Sequence, residues 1–402
     1  MRGKGERMTE RELQTPCYVI HKDRLEEGIG LLKTSLEREW NHYCVGYSFK
    51  TNSLPYVVEE MKKAGFYAEV VSEDEYDLAL KHGYEKIIYN GPVKGKRTFL
   101  HALEHGAIIN LDAKRELAWL RESGRRDVTV GLRVNFDLEA LCPGETSAGE
   151  EGSRFGFSYE TGELKWAMDE LDKMGIPLSG LHLHVGSKTR SVAIYRQLAG
   201  MACRLKREYD LKLTYIDLGG GYFGGMENRP KFPDYVKAIR EELSEEFTPE
   251  ETMLVMEPGT SLITPPIEYL TTVVDTKQTY ANHLVVTDGS RIDVDPLHGK
   301  NSYFHKLLYQ GTEEEMEARQ VIPKQVVCGF TCMENDRLFV IEDQKKLQEG
   351  DRISFQKVGG YTICLTPLFI RYFPAVYVEE NGEYRIIREA WTAQEYSQKS
   401  LY

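Results

Sequence analysis

Cysteine is sparse in this sequence and never set in CxxC pairs. Cys17, Cys44, Cys142, Cys203, Cys328, Cys332 and Cys364 are odd in number, so neither a disulfide framework nor a zinc site is suggested, no metal is expected, and a reducing cytoplasm is the expected compartment. No stretch runs for ~18 apolar residues, and Met1 to Glu12 is charged with no apolar run, so neither a membrane span nor a secretory leader is expected. Basic residues are outnumbered: 51 Lys plus Arg against 63 Asp plus Glu leave a net charge of −12, which disfavours nucleic acid and anionic membranes as partners. Internal repeats and low-complexity tracts are also missing. What remains is a 402-residue chain, 41% hydrophobic and 28% charged, with enough apolar surface for one large α/β barrel and a smaller partner domain.

Along the chain, short apolar runs alternate with stretches of helical period. Thr15–Ile20 reads as a first strand; then come eight candidates at His42–Phe49, Tyr67–Val71, Lys86–Tyr89, Ala107–Leu111, Val128–Val134, Leu181–Val185, Thr214–Leu218 and Met253–Met256. Leu54–Ala64, Glu73–His82, Leu164–Met174, Val192–Tyr209 and Pro233–Glu246 read as intervening helices. Eight βα units predict a closed (β/α)8 TIM barrel; an open doubly wound sheet shows the same alternation, and the strand count favours the barrel. Beyond Pro265 the pattern turns to β-rich runs, Tyr269–Val274, Leu284–Thr287, Gln325–Cys328, Leu338–Ile341 and Arg352–Phe355, punctuated by turn signals. The expected organisation is an N-terminal segment 1–24 whose strand joins the C-terminal β domain, a barrel over 25–265, and a mostly β domain over 266–402. Pro143–Gly152 and Thr312–Arg319 read as exposed loops.

A barrel of this kind carries its chemistry at the C-terminal ends of the strands. There the sequence places Lys50, Glu69 with Ser72, Asn90, Asn110, Arg133 with Asn135, His184, the run Gly219–Gly221, and Glu257. A lysine, a histidine, a carboxylate and a glycine nest around one cavity suit a phosphorylated, electron-withdrawing cofactor, and pyridoxal 5'-phosphate needs one partner of each kind. Lys50 can form the Schiff base, since a buried amine has a depressed pKa and becomes nucleophilic. Glu257 can hold the pyridine nitrogen protonated, His184 can lie on the ring face, and the N–H groups of Gly219, Gly220 and Gly221 can cradle the phosphate. Taken singly each has a plainer reading: a solvated lysine, a hydrogen-bonded histidine, a structural carboxylate, a turn.

Order and spacing lift the set above those readings. Tyr47-Ser-Phe-Lys50-Thr-Asn, Glu69-Val-Val-Ser72, Tyr89-Asn-Gly-Pro92, Arg154-Phe-Gly156, His182-Leu-His184-Val-Gly-Ser187, Asp217-Leu-Gly-Gly-Gly221, Glu257-Pro-Gly259, Cys332 with Asp336, and Gly360-Tyr361 follow one another in that order. With these motifs the chain, from about Thr15 to Pro374, resembles the fold type III pyridoxal-phosphate decarboxylases, the group of diaminopimelate, ornithine and carboxynorspermidine decarboxylases. The resemblance implies that Lys50 is the Schiff-base lysine, His184 stacks on the ring, Ser187 and Gly219–Gly221 bind phosphate, Glu257 pairs the pyridine nitrogen, and Glu69 and Gly259 complete the cofactor site. It further implies a homodimer with shared sites, in which Cys332 and Tyr361 reach the neighbour's site, Cys332 helps protonate the intermediate, and Arg154 pairs with Asp336 across the interface.

Three positions depart from the diaminopimelate pattern. Thr260 follows Glu257-Pro-Gly where an arginine is usual, Asp295-Pro296 stands for Arg-Pro, and Met333 for the acidic residue after the family cysteine. Two lost arginines remove the bidentate clamp for a second carboxylate, so meso-diaminopimelate is doubtful as substrate unless Arg291, Lys300 or Arg371 compensates. Met333 also argues against the ornithine-type solution, leaving Asp295 or Glu334 to meet a distal ammonium. The expected activity is α-decarboxylation of an amino acid, with a modified or carrier-linked one as an alternative. An alanine-racemase-like enzyme is disfavoured by Glu257, and an inactive homologue that binds a protein partner by the retained Lys50, His184, Glu257, Cys332 and Tyr361.

Overall fold

The computed structural model describes residues 8–300 and 302–401. The first seven residues of the expected N-terminal segment lie outside the described residues. The chain divides into two compact units, one of residues 28–262 and one joining the N-terminal stretch through Glu27 to Ile263 onward.

The second unit opens the chain with β1 (Cys17–His21), buried along its whole length. The first unit is the barrel. Its strands are β2 (Tyr43–Ser48), β3 (Tyr67–Val70), β4 (Ile87–Tyr89), β5 (Ile108–Leu111), β6 (Val130–Asn135), a short outer β7 (Phe157–Ser158), β8 (Gly180–His182), β9 (Tyr215–Asp217) and β10 (Met253–Met256). Leaving β7 aside, eight parallel strands pair in the order β5-β4-β3-β2-β10-β9-β8-β6, and β6 pairs back to β5, which closes the ring. Closure puts every second side chain into a packed interior.

That interior is filled from one strand by Tyr215, wholly buried, its hydroxyl donating to Asn110 Oδ1 at 2.7 Å. The ring and hydroxyl occupy space that a Cβ at Gly131 or Gly180 would need, so the adjacent β8 and, beyond it, β6 carry glycine there. Outside the ring, helices are fixed by their caps. Ser72 Oγ accepts from Glu75 N at 3.2 Å at the start of Glu73–Lys81, and Ser191 Oγ accepts from Ile194 N at 3.4 Å at the start of Val192–Tyr209.

The second unit is a nine-stranded sheet built from β1 with β11 (Ile267–Gln278), β12 (His283–Thr287), β13 (Phe304–Leu308), β14 (Val321–Cys328), β15 (Arg337–Lys345), β16 (Arg352–Gln356), β17 (Ala375–Glu380) and β18 (Glu383–Arg388). β1 lies between β11, antiparallel to it, and β17, parallel to it. Two readings need correction. Thr312–Arg319, expected as a loop, carries the helix Glu313–Glu317, because Thr312 and Glu315 form a reciprocal capping box. The hairpin β17–β18 was not expected, yet Asn381-Gly382 at its tip, both with positive φ (55° and 79°), is the residue pair that a two-residue turn of that hand requires.

Candidate active site

The polar groups at the strand ends form one hydrogen-bonded system. Glu69, 1% exposed at the end of β3, accepts from Ser48 Oγ at 2.5 Å and from Lys50 Nζ at 2.9 Å on one oxygen. On the other it accepts from Asn90 Nδ2 at 3.0 Å, and the same amide donates to Glu257 Oε1 at 2.5 Å. Asn90 Oδ1 in turn accepts from Asn110 Nδ2 at 2.9 Å, which also donates to Asp217 Oδ2 at 2.9 Å. Lys50 is thereby tied to the carboxylate of Glu257 through one buried amide. The lysine itself sits on a single 3₁₀ turn, Phe49–Thr51, and is half-buried.

Electrostatics sort these groups. Burial, then the neighbouring charge of Glu257, pushes the Asp217 carboxyl well above the usual range. His182 and His184 are pushed well down by burial and then by the Arg133 guanidinium, so both rings are neutral. His184 Nδ1 accepts from Gly220 N at 3.2 Å, which leaves the proton on Nε2. His182 Nε2 stands 3.5 Å from Glu257 Oε2, and neither of its buried ring nitrogens has a hydrogen-bond partner.

A second lysine pair lies alongside. Lys94 Nζ donates to Gly91 O and Asn110 O, both at 2.9 Å, and to Glu116 Oε2 at 3.0 Å, with both side chains fully buried. Glu116 Oε2 also accepts from Asp112 N at 2.9 Å; Asp112 holds Arg133 Nη1 at 3.0 Å, and Arg133 Nη2 donates to His184 O at 3.2 Å. Lys94, Glu116 and Asp112 were missed in the sequence because each reads as an ordinary helix or loop charge. Only long-range packing brings them under the rim.

The glycine run behaves differently from expectation. Gly219 N donates to Asp217 Oδ1 at 2.9 Å and Gly220 N to His184 Nδ1, so two of the three expected phosphate-binding amides are engaged within the protein. Gly221 has φ 94°, and Gly220 lies so close to the Glu257 carbonyl that a Cβ there would collide with it. Ser187 Oγ accepts from Arg190 N at 2.7 Å in the turn before Val192–Tyr209.

The remaining expected residues fall elsewhere. Thr260 and Gly259 follow β10, and Arg154 is exposed with its guanidinium 4.1 Å from the Phe155 ring centre. Cys332, Met333 and Glu334 form an exposed turn of the β unit, and Tyr361, at φ 56°, is 39% exposed. Asp336 is buried and accepts from Ser290 Oγ, Arg291 N, Thr331 N and Thr331 Oγ1. Asp295 is buried too. Burial pushes its pKa up, but the N–H groups of Lys300 and Gly299 and the Arg291 guanidinium more than reverse this and hold it below the usual range. Among the compensating residues, Lys300 Nζ donates to Val294 O at 3.1 Å and Arg371 Nη1 to Asp288 O at 2.8 Å.

Residues 25–264 match the family described as pyridoxal-dependent decarboxylase, pyridoxal binding domain, which covers well over half of the chain. The chain belongs to the pyridoxal-dependent decarboxylases. Among curated relatives, a probable chloroplastic diaminopimelate decarboxylase of Oryza sativa is 26% identical, covering 95% of this chain and 79% of the relative. The Bacillus subtilis diaminopimelate decarboxylase is 28% identical over 93% and 88%. Among solved structures, diaminopimelate decarboxylase from M. jannaschii with L-lysine superposes with a TM-score of 0.84 at 21% identity, covering 100% and 99%. The arginine decarboxylase of Paramecium bursaria Chlorella virus reaches 0.75 at 20% identity over 91% and 95%. These structures share the fold, a TIM barrel with a mostly β second domain. Their names carry different substrates on it.

This decarboxylase is a carboxy-lyase that uses pyridoxal 5'-phosphate, and its barrel rim fits the cofactor. The half-buried Lys50 amine, a buried carboxylate system, and a tight glycine turn whose Gly221 amide donates to no acceptor among the described residues are the donor and acceptor set that an aldehyde, a pyridine nitrogen and a phosphate require. No helix among the described residues is long and apolar enough to cross a membrane.

Proposed function

We propose that this decarboxylase removes the α-carboxylate of an amino acid other than meso-diaminopimelate, working in the cytoplasm as a homodimer with shared sites. The observation that carries the catalytic reading is the continuous path Lys50–Glu69–Asn90–Glu257. When bound, pyridoxal 5'-phosphate supplies the electron sink for the pair left on Cα as CO2 departs. Lys50 is the residue that would hold the cofactor covalently, its half-buried amine open to replacement by the amine of a substrate. Glu69 Oε2 accepts from Lys50 Nζ and holds the amine in place. Asn90 Nδ2 donates to Glu257 Oε1 and fixes the carboxylate that would pair with the pyridine nitrogen. His184, neutral and anchored through Nδ1, offers a flat ring to the cofactor face. The partner's Cys332 delivers the proton to Cα, and the partner's Tyr361 completes the phosphate site.

The relatives' names point to meso-diaminopimelate, and the residues at its far end point away from it. Thr260 and Met333 bear no charge, and Asp295 is committed to its own loop. Arg291 pairs with Asp295, so it is not an obvious substitute clamp. A CO2-release screen over meso-diaminopimelate, lysine, ornithine, arginine, carboxynorspermidine and acylated or carrier-linked diamino acids tests the substrate. Efficient turnover of meso-diaminopimelate, at kcat/KM near ~10⁴ per molar per second or above, overturns the reading. Borohydride reduction of the holoenzyme tests the attachment: the label is expected on Lys50, and on no other lysine.

A further inference from the structure

Three loops of the barrel unit meet beside the glycine turn. Tyr195 OH donates to Gly220 O at 2.8 Å, Tyr235 OH donates to Arg190 O at 2.6 Å, and Gly224 packs so tightly on Ser261 that a Cβ there would strike its carbonyl. Segments 187–191, 219–224 and 257–261 are thus held against one another. At their junction stands Arg190. Its Nη1 donates to Thr260 Oγ1 at 3.4 Å, and its guanidinium lies 5.4 Å from the Phe223 ring centre.

Three observations mark this guanidinium as an anion ligand. It forms no ion pair among the described residues, although the chain carries 63 acidic side chains. Its one acceptor is a neutral hydroxyl at the outer limit of hydrogen bonding, so four of its five N–H donors are left unused. Its backbone is held at φ 51°, a region an arginine rarely adopts, by the Ser187 and Tyr235 hydroxyls. Within the same junction the N–H groups of Gly221 and Tyr222 donate to no acceptor among the described residues. Thr260 is the position where the resembling decarboxylases carry arginine.

We propose that Arg190, with the Gly221 and Tyr222 amides, binds the phosphate of the cofactor. The anion site is therefore displaced toward the C-terminal end of the glycine run, away from the engaged amides of Gly219 and Gly220. This rests on the cofactor class that the family match establishes. A second carboxylate on the substrate is the other anion a guanidinium could take, and the arms of the test separate the two.

Apo-protein prepared from the holoenzyme is titrated with pyridoxal phosphate and, separately, with pyridoxal, following visible absorbance. Arg190→Ala should weaken pyridoxal phosphate binding by about tenfold or more while changing pyridoxal binding less than about twofold, since only the phosphate uses the charge. Arg190→Lys should recover part of the loss. Unchanged pyridoxal phosphate affinity in Arg190→Ala overturns the proposal, as does an equal loss for both ligands. A raised KM confined to dicarboxylate substrates, with cofactor affinity intact, reassigns Arg190 to the substrate and also overturns it. Failure of the wild-type protein to bind pyridoxal phosphate would instead strike the cofactor reading itself.

Discussion

Lys50 with Glu69 and Lys94 with Glu116 are two lysine–glutamate pairs on the same barrel, at 2.9 and 3.0 Å. The glutamates are equally buried. The lysines are not: Lys94 is sealed in and directs all three N–H donors to protein acceptors, whereas Lys50 is half-buried on a short 3₁₀ turn. Burial lowers the Lys94 pKa and raises that of Glu116, with their mutual attraction opposing both. A pair of this kind holds shape, because nothing can replace its partners without breaking the rim. The open pair keeps its carboxylate fixed by Ser48 and Asn90 and leaves its amine half-exposed, which suits the exchange with a substrate amine proposed for Lys50.

The sharpest way to break this comparison is to remove each lysine in turn. Lys50→Ala is expected to lower turnover on the order of 10⁴-fold or more, measured by CO2 release. Its unfolding free energy should fall far less than that of Lys94→Met, because Glu69 retains two other donors. Lys94→Met strands Glu116 in the interior, and its Oε1 already lacks a partner, so a loss of about 3–5 kcal/mol is expected in chemical denaturation. The double variant Lys94→Met with Glu116→Leu should recover most of that loss, and equal losses in the two lysine variants would erase the distinction drawn here.

Smaller effects sharpen it. Asn90→Ala takes a donor from both Glu69 and Glu257, and a loss of about 1–3 kcal/mol is expected. Glu75, whose carboxylate accepts from Val71 N at 2.8 Å near the open pair, is pushed up to about 7, chiefly by burial. Unfolded, the group titrates near ~4.3, so unfolding releases a proton between those values. Its stabilising contribution is complete below the unfolded pKa and is lost as pH rises toward 7. Glu75→Gln should therefore gain on the wild type across that window, by on the order of 3 kcal/mol at pH 8, seen in denaturation curves at pH 5 and pH 8.

The barrel was legible because its strands are short apolar runs that polar residues end abruptly, and the structure joins several of those end residues in one hydrogen-bonded system. Lys50, Glu69, Asn90, His184 and Glu257 announce themselves by position alone. What stayed hidden is pairing between distant segments. Nothing local to Lys94 says that Glu116 will reach it, and nothing near Arg190 says that it will meet Thr260. The hairpin at Asn381-Gly382 is different in kind. Its turn signal was present, and the run of glutamates beside it masked the alternation of the strands.

The filling of the barrel by Tyr215 also sets an order in which the sequence can change. A side chain at Gly180 is barred while the phenol is in place, and the phenol cannot be shortened without leaving Asn110 Oδ1 short of its donor. Substitution at position 215 must therefore come first, with a cost at that step, before Gly180 becomes free to vary; Gly131 stays barred even then, because Asn110 Oδ1 lies 2.5 Å from where its Cβ would stand. Positions 180 and 215 are expected to change together or not at all, and a lineage that has crossed to a smaller residue at 215 and a larger one at 180 would find the way back equally closed.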